Sequence, residues 1–220
     1  MNNKSVAIGF DLDENQRNFL LHKNFENVTP QPSNEWIATE NFIHNFPYIS
    51  KKINQILKEE VPLTLFVRVD YYVQKRFGSF SYYLAQYSEF FREIQSQGHE
   101  IAVHCHFPKE NWTRIGTVKI LEKLNDCRKV GFKLGIDLRG IRFGGNYFPF
   151  EIAKKLKDIG FEYDSSILSG RARCDENFNF DWTNSKNDIH FLSSSDWGVE
   201  DIVTSTQLVE LPFTMAPIKA

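Results

Sequence analysis

Short apolar segments alternate along this chain with segments whose apolar residues recur at helical spacing. The apolar segments predict strands at residues 5–11, 63–69, 100–104, 140–143 and 208–213, with a weaker candidate at 161–165. The amphipathic segments predict helices at residues 48–60, 81–97, 117–130 and 149–158. The first helix is expected to begin just after Pro47, and Gly98, Gly131 and Gly160 are expected to end the other three. This alternation favours an α/β fold with a mostly parallel sheet that is covered on both faces.

Two long segments, residues 14–36 and 169–206, carry no strong periodicity. Long connections in compact domains are usually functional or disordered. In a parallel α/β sheet, the active site lies at the carboxyl ends of the strands. The polar residues that directly follow the predicted strands are therefore the first candidates for chemistry.

Length, charge and cysteine content narrow the class of protein. The 220 residues suit one domain at positions 1–220, and 26 basic against 28 acidic side chains give a net charge of −2. This balance excludes a nucleic-acid binder held mainly by phosphate contacts, and no apolar stretch is long enough for a membrane span. The three scattered cysteines indicate neither a disulfide framework nor a zinc ribbon. Free thiols and an N-terminus unlike a secretory signal predict a cytoplasmic protein.

Two aspartates follow the first predicted strand. Asp11 and Asp13 are two positions apart, so they share a face if the strand continues through them. Two carboxylates that converge are costly unless they share a proton or a cation. A divalent metal ion would resolve this cost, with one aspartate as a ligand and the other as a base. An Asx turn or a helix cap is the alternative interpretation.

Histidines cluster at the end of the third predicted strand. His99, His104 and His106 fall within eight residues, and His104 and His106 share a face of the strand. Neutral imidazoles at this spacing are suitable ligands for zinc or a similar ion. His99 follows a helix-ending glycine and is expected to be structural. Because the two aspartates end a strand of the same sheet, the pattern favours metal binding over a single satisfied core histidine.

Arg142 ends the fourth predicted strand and is followed by Gly144 and Gly145. Its guanidinium group could orient a carboxylate such as Asp11 through a bidentate pair. The glycines would let the backbone approach a ligand closely, although an ordinary strand-to-helix turn can contain the same residues. The segment contains no phosphate-binding glycine pattern.

The order of these motifs resembles the polysaccharide deacetylase (NodB-homology) superfamily. The matching pieces are Asp-x-Asp at 11–13, Gly-His-Glu-Ile-Ala-Val-His at 98–104, the arginine-led turn at 142–149 and Gly-Phe-Glu-Tyr-Asp-Ser-Ser at 160–166. The resemblance covers nearly the whole chain. It implies a distorted, incomplete (β/α)7-type barrel and a metal-dependent hydrolase that removes N-acyl groups from sugars.

The resemblance also implies roles for single residues. Asp11 matches the general base, and Asp13 matches the metal-ligand aspartate. His104 matches the first metal-ligand histidine, and Arg142 matches the arginine that holds the base. The implied cofactor is a divalent metal ion, with Zn²⁺ expected. The implied partner is a carbohydrate that carries an N-acyl group, and N-acetyl is the expected one.

Two departures from the superfamily pattern each concern a histidine. The position at which the superfamily has its second metal-ligand histidine is occupied here by Pro108, and His106 is the natural substitute. This His-x-His is similar to a divergent WbmS-like branch associated with bacterial surface-polysaccharide gene clusters. The late histidine that acts as the general acid has no counterpart after Phe191. Either the chain is a fragment truncated at its C-terminus, or His190 or Asp181 takes the role, or the acid is absent.

The sequence thus predicts an N-deacetylase in surface-polysaccharide biosynthesis. Asp13, His104 and His106 would hold the ion, Asp11 would take a proton from water, and His190 would protonate the leaving amine.

Three aromatic residues, Tyr147, Trp182 and Trp197, are candidates for stacking on a sugar ring or for plain packing. A catalytically inactive carbohydrate-binding protein on the same fold is a competing hypothesis. An amidohydrolase-type barrel is a weaker one, because it needs two histidines after the His-x-His and only His190 follows it here.

Overall fold

The computed structural model of the protein describes residues 7–13, 37–107, 111–149, 152–175, 178–193 and 205–212. Its strands are β1 (Ile8–Leu12), β2 (Leu63–Arg68), β3 (Glu100–Cys105), β4 (Leu138–Phe143), β5 (Tyr163–Asp164), β6 (Ala172–Cys174), β7 (Asn179–Asp181), β8 (His190–Ser193) and β9 (Ser205–Glu210). Its α-helices are α1 (Ile37–Leu57), α2 (Tyr71–Phe77), α3 (Tyr82–Gln86), α4 (Ser88–Ser96), α5 (Thr117–Lys133) and α6 (Ala153–Asp158). A π-helical segment at Trp112–Gly116 precedes α5, and a 3-10 turn at Gly144–Asn146 follows β4.

Seven strands form one sheet in the order β1-β2-β3-β4-β5-β9-β8. Neighbours from β1 to β9 are parallel, and β8 pairs with β9 antiparallel. Arg68 lies opposite His104, and His104 lies opposite Arg142, so these three side chains point to one face. The mixed α/β fold with a mostly parallel sheet is confirmed. Within the described ranges no pairing joins β1 to β8, and the distorted, incomplete (β/α)7-type barrel stays a prediction.

The strands are apolar because both faces of the sheet are covered. Leu65 and Ile101 are fully buried on one face, and on the other face Phe66 is 2% exposed and Ala102 is fully buried. Helix α5 packs a buried row against the sheet, formed by Ile120, Leu121, Leu124 and Cys127. None of the described helices combines the length and the apolar character that crossing a membrane requires.

The helix boundaries differ from the predictions in several places, and the helix predicted at 149–158 is observed as α6 from Ala153 to Asp158. Helix α1 begins at Ile37 and runs through Pro47, so this proline interrupts the backbone hydrogen bonding without ending the helix. The helix predicted at 81–97 is divided at Tyr87 into α3 and α4. Helix α5 continues past Gly131 because this glycine serves packing: a Cβ atom there would lie 2.6 Å from Leu138 of β4.

Several elements were not predicted. The unpatterned segment 169–206 contains β6 and β7, which pair antiparallel, as well as β8 and the start of β9. Helix α2 follows β2 directly, and Asp70 caps its N-terminus by accepting a hydrogen bond from the Val73 amide at 3.0 Å. The weak strand candidate at 161–165 is confirmed as β5.

Candidate metal centre

Three side chains of metal-ligand type meet at the carboxyl ends of β1 and β3. Asp13 directly follows β1, His104 lies near the end of β3, and His106 follows β3. The Nε2 atoms of the two histidines are 2.9 Å apart. Asp13 Oδ2 lies 2.9 Å from His106 Nε2 and 3.6 Å from His104 Nε2. The three ligand atoms therefore all lie within 4.8 Å of one another.

The spacing of these atoms fits a small tetrahedral ion. Zinc bonds of about 2.0–2.1 Å to nitrogen and oxygen place the ligands of a tetrahedral ion about 3.3 Å apart. The observed separations of 2.9–3.6 Å bracket that value. Two imidazoles and one carboxylate form a donor set that catalytic zinc sites use, with the fourth position left for water or substrate. The residues present therefore fit a divalent ion such as Zn²⁺.

The ring of His104 is held in one orientation by the backbone of β4. Its Nδ1–H donates to the Arg142 carbonyl at 3.1 Å, and a carbonyl can only accept. The neutral ring therefore presents the lone pair of Nε2 toward Asp13 and His106, as a metal ligand requires. Burial lowers the pKa of His104, but the negative charges of Asp11 and Asp13 outweigh it and raise the pKa above its ordinary value.

The ring of His106 packs against the 3-10 turn that follows β4. A Cβ atom on Gly144 would lie 2.1 Å from this ring, so the turn can approach His106 only because position 144 is a glycine. Burial lowers the pKa of His106 below its ordinary value. A lowered pKa favours the neutral imidazole, which is the form that binds a metal ion.

Arg68 is a residue of the site that the sequence analysis missed. It is fully buried at the end of β2, forms an ion pair with Asp13 Oδ1, and donates from Nε to Asp70 Oδ2 at 2.7 Å. Burial raises the pKa of Asp13, but Arg68 and the histidine hydrogen bonds hold it well below its ordinary value. The available signal was a cation inside the apolar segment 63–69, since a buried arginine needs a carboxylate partner.

Arg142 holds Asp11 beside the cluster. Its Nη1 donates to Asp11 Oδ1 at 2.8 Å, so the two residues are paired, through one oxygen of Asp11 and not through the predicted bidentate contact. Its Nε and Nη2 donate to the carbonyl and hydroxyl oxygens of Ser165 at 3.0 and 2.9 Å, and its guanidinium lies 3.7 Å from the centre of the Phe66 ring. Ser165, the first serine of Asp-Ser-Ser, is a second residue that the sequence analysis did not assign.

The structure does not bring His190 to this cluster. His190 begins β8, and it is 4% exposed. Across the sheet, His190 of β8 pairs with Glu210 of β9. Glu210 pairs in turn with Asp164 of β5, and Asp164 pairs with Ile141 of β4. Opposite residues share a face of a sheet and consecutive residues alternate, so His190 is on the other face from Arg142. This placement does not support the expectation that His190 is the general acid.

The other candidates from the sequence lie around the site or away from it. Trp182 is 3% exposed and donates its indole N–H to the Asn146 carbonyl at 3.0 Å, so it packs and presents no open ring face. Tyr147 is half-buried beside the 3-10 turn.

Asp181 is exposed on β7, and its carboxylate accepts from the backbone amide and hydroxyl of Thr183. Trp197 and Pro108 lie outside the described residues.

Comparison with known proteins adds a structural likeness. No protein-family model matches the chain, and no curated protein matches it. A solved structure from Mycobacterium smegmatis, named a "putative polysaccharide deacetylase", is similar over 94% of this chain, with a TM-score of 0.56 and 19% identity. The chain spans 58% of the length of that protein. At this identity the likeness shows a shared fold, and the WbmS-like branch stays a prediction.

Proposed function

We propose that this chain is a metal-dependent hydrolase that removes an N-acyl group from a carbohydrate, with N-acetyl as the expected group. The observation that carries the proposal is the convergence of Asp13, His104 and His106, with the Asp11–Arg142 pair beside them. The fold shared with the Mycobacterium smegmatis protein supports the same class of reaction. We propose further that the reaction takes place in a single cytoplasmic domain and, as the motif resemblance implies, in surface-polysaccharide biosynthesis.

Asp13, His104 and His106 would hold the ion. A divalent ion bound there supplies polarisation of the acyl carbonyl and a lowered pKa for water. The His104 ring contributes Nε2 because its Nδ1–H is bound by the Arg142 carbonyl. Asp13 contributes Oδ2 because Arg68 is bound to Oδ1. The ligands are thus oriented by contacts that the folded chain already makes.

Asp11 acts as the general base in this proposal. Arg142 holds its Oδ1, so the proton of the attacking water goes to Oδ2. The Asp11 side chain is 36% exposed, which leaves it open to water and substrate. Because His190 lies on the other face of the sheet, the proposal assigns to Asp11 also the return of this proton to the leaving amine.

The placement of His190 also favours a second candidate function. The superfamily resemblance implies a late histidine as general acid, and the strand register puts the side chains of His190 and Arg142 on opposite faces of the sheet. A carbohydrate-binding protein without catalytic activity would keep the fold and could keep the metal ligands.

Metal analysis tests the ligand assignment. The purified protein should contain close to one equivalent of a divalent metal, and His104→Ala and His106→Ala should each lose it. His44→Ala is the matched control, because His44 is exposed on α1 and should leave the metal content unchanged. Metal that persists in both ligand variants would contradict the proposed centre.

Turnover of N-acetylated sugars separates the enzyme from the binding protein. Asp11→Asn should reduce kcat by about 10²–10⁴-fold while the metal content stays at the wild-type level, because it removes the base and spares the ligands. Unchanged turnover in Asp11→Asn would exclude Asp11 as the base. A metal-loaded wild-type protein that binds such sugars without hydrolysing them would favour the second candidate.

A further inference from the structure

A line of buried charges connects the start of helix α2 to the candidate metal centre. Asp70 is 1% exposed and caps α2: its Oδ1 accepts from the Val73 amide at 3.0 Å. Its other oxygen, Oδ2, accepts from Nε of Arg68 at 2.7 Å. Both oxygens of Asp70 are therefore occupied by groups of the rigid strand-to-helix junction between β2 and α2.

Arg68 carries this connection to Asp13. Its side chain is fully buried, and its Nη1 binds Asp13 Oδ1 while its Nε binds Asp70. The ring of Tyr72 lies 5.0 Å from the guanidinium carbon, in a cation–π contact from the first turn of α2. The plane of the guanidinium group is thus set by contacts to two carboxylates and one ring.

The orientation of Asp13 follows from that of Arg68. Because Arg68 takes Oδ1, the oxygen of Asp13 that faces the two histidines is Oδ2, at 2.9 Å from His106 Nε2 and 3.6 Å from His104 Nε2. A carboxylate held in this way offers one oxygen to an ion instead of chelating it with two. One-oxygen binding keeps the number of ligands low, as four-coordinate zinc requires and as Ca²⁺, with six to eight oxygen ligands, does not.

We propose that Asp70 is a positioning residue for the metal ligand Asp13, acting through Arg68, and that the pair makes Asp13 a one-oxygen ligand. This inference rests on the proposed metal centre and extends it to Asp70, whose described side-chain hydrogen bonds are to Arg68 and to the Val73 amide. An arginine suits the role because its fork donates in two directions at once, whereas a lysine ammonium cannot reproduce that planar geometry.

Two conservative substitutions test the proposal. Asp70→Asn keeps a side-chain oxygen for the Val73 amide, and asparagine is as good a helix cap as aspartate, but its NH₂ group cannot accept from Arg68. Arg68→Lys keeps the positive charge and removes the fork. Each variant should bind Zn²⁺ about 10–100-fold more weakly than the wild type, the range observed when a contact that orients a ligand is removed.

Cobalt provides a readout that a purely structural role would not move. Co²⁺ bound in the wild-type site should show the intense visible absorption of a four-coordinate ion. In both variants this absorption should weaken, because Asp13 becomes free to chelate with two oxygens and the coordination number rises.

The chain contains a matched control pair. Arg139 and Asp137 are also two positions apart and form the same Nε–Oδ2 contact, at 2.8 Å, but both are more than half exposed. Asp137→Asn and Arg139→Lys should therefore leave the Zn²⁺ affinity and the cobalt spectrum unchanged.

The outcomes separate this inference from the proposed function. Wild-type binding of Zn²⁺ and Co²⁺ with no change in either variant would overturn the positioning role and leave the metal centre standing. A wild-type protein that binds neither metal would overturn both. Loss of the native circular dichroism spectrum in both variants would assign the pair to stability alone, and would also overturn the positioning role.

Discussion

The turn that follows β4 shapes the candidate site through a residue without a side chain. Gly144 touches the His106 ring so closely that an added Cβ atom would lie 2.1 Å from it. Gly144→Ala should displace the ring and lower the Zn²⁺ affinity by about 10–100-fold, as loss of a ligand-orienting contact does. Zinc titration of the variant against a competing chelator measures the effect.

Gly170→Ala provides the control for this substitution. Gly170 has a φ of +81°, so an alanine there is strained, but nothing lies within 4 Å of the added Cβ atom. This variant should lose stability and keep its metal affinity. An equal loss of Zn²⁺ affinity in both variants would show that the contact with His106 is not the cause.

Ser165 acts on the candidate base through Arg142. Its hydroxyl accepts from Arg142 Nη2 at 2.9 Å and donates to the Leu211 carbonyl at 2.8 Å. Ser165→Ala should lower kcat by about 10–100-fold, because a buried hydrogen bond to a charged group is worth about 1.5–3 kcal/mol. Its metal content should stay at the wild-type level.

Steady-state kinetics and metal analysis check this prediction together. Ser96→Ala is a suitable control, since Ser96 is exposed on α4 and its hydroxyl also donates to a backbone carbonyl. If Ser165→Ala lost metal as well as activity, the serine would be supporting the metal ligands and not the base.

Some residues of the site could be predicted from the sequence and others could not. Asp13, His104 and His106 were predictable because ligand-type side chains at strand ends and at a spacing of two can converge. Arg68 was not, since the apolar segment 63–69 favours a plain buried strand, and its partners Asp13 and Asp70 become evident only in the folded chain. The role of His190 stays a prediction that its position does not support, because the sequence order gives no information on which face of a sheet a side chain occupies.

At the scale of elements, the join between β5 and β9 buries two carboxyl groups side by side. Asp164 lies opposite Glu210, and both are fully buried. Burial raises the pKa of Asp164 to about 6. Burial, together with the charge of Asp164, raises the pKa of Glu210 well above its ordinary value. At pH values above the ordinary pKa values near 4 and below these raised ones, the folded chain holds protons that the unfolded chain has released.

The free energy of unfolding should therefore fall as the pH rises through this window, because the unfolded state binds fewer protons than the folded state. Glu210→Gln keeps an acceptor for the Ile167 amide, which Glu210 Oε1 binds at 3.0 Å, and removes the second carboxyl group. Between about pH 5 and about pH 8, the variant should therefore lose less of its free energy of unfolding than the wild type does, because only one of the two buried carboxyl groups remains to release its proton. Urea unfolding at the two pH values measures the difference. Parallel pH profiles would contradict the shared burial of the two acids.

Element prediction succeeded where an element is long or wholly apolar. Strands β2 and β3 and the end of β4 are apolar runs, because both faces of the sheet are covered. Strands β6 and β7 have three residues each, too short for a periodic pattern, and lie in the segment predicted as a loop. Pro47 and Gly131 were read as boundaries because both residues usually interrupt helices, whereas here tertiary packing retains the helix through them.

For the whole molecule, the site draws on four adjacent strands of the sheet. The order β1-β2-β3-β4 brings Asp13, Arg68, His104 and Arg142 into one row at the carboxyl ends. The parallel sheet was predictable from the alternation of apolar and amphipathic segments. The order of its strands was not, because segment patterns do not encode which strands become neighbours. An ion bound to β1 and β3 would therefore link segments that are far apart in the chain.

This linkage predicts that metal binding stabilises the domain as a unit. A ligand that binds only the folded state raises the free energy of unfolding by about 2.7 kcal/mol when its free concentration is 100 times Kd. Zn²⁺ at that level should shift the entire urea transition of the wild-type protein, because unfolding separates Asp13 from His104 and His106. The shift should be absent in His104→Ala and His106→Ala and retained in His44→Ala. A transition that moves equally in the ligand variants would place the metal elsewhere, and one that splits on addition of Zn²⁺ would contradict the single domain.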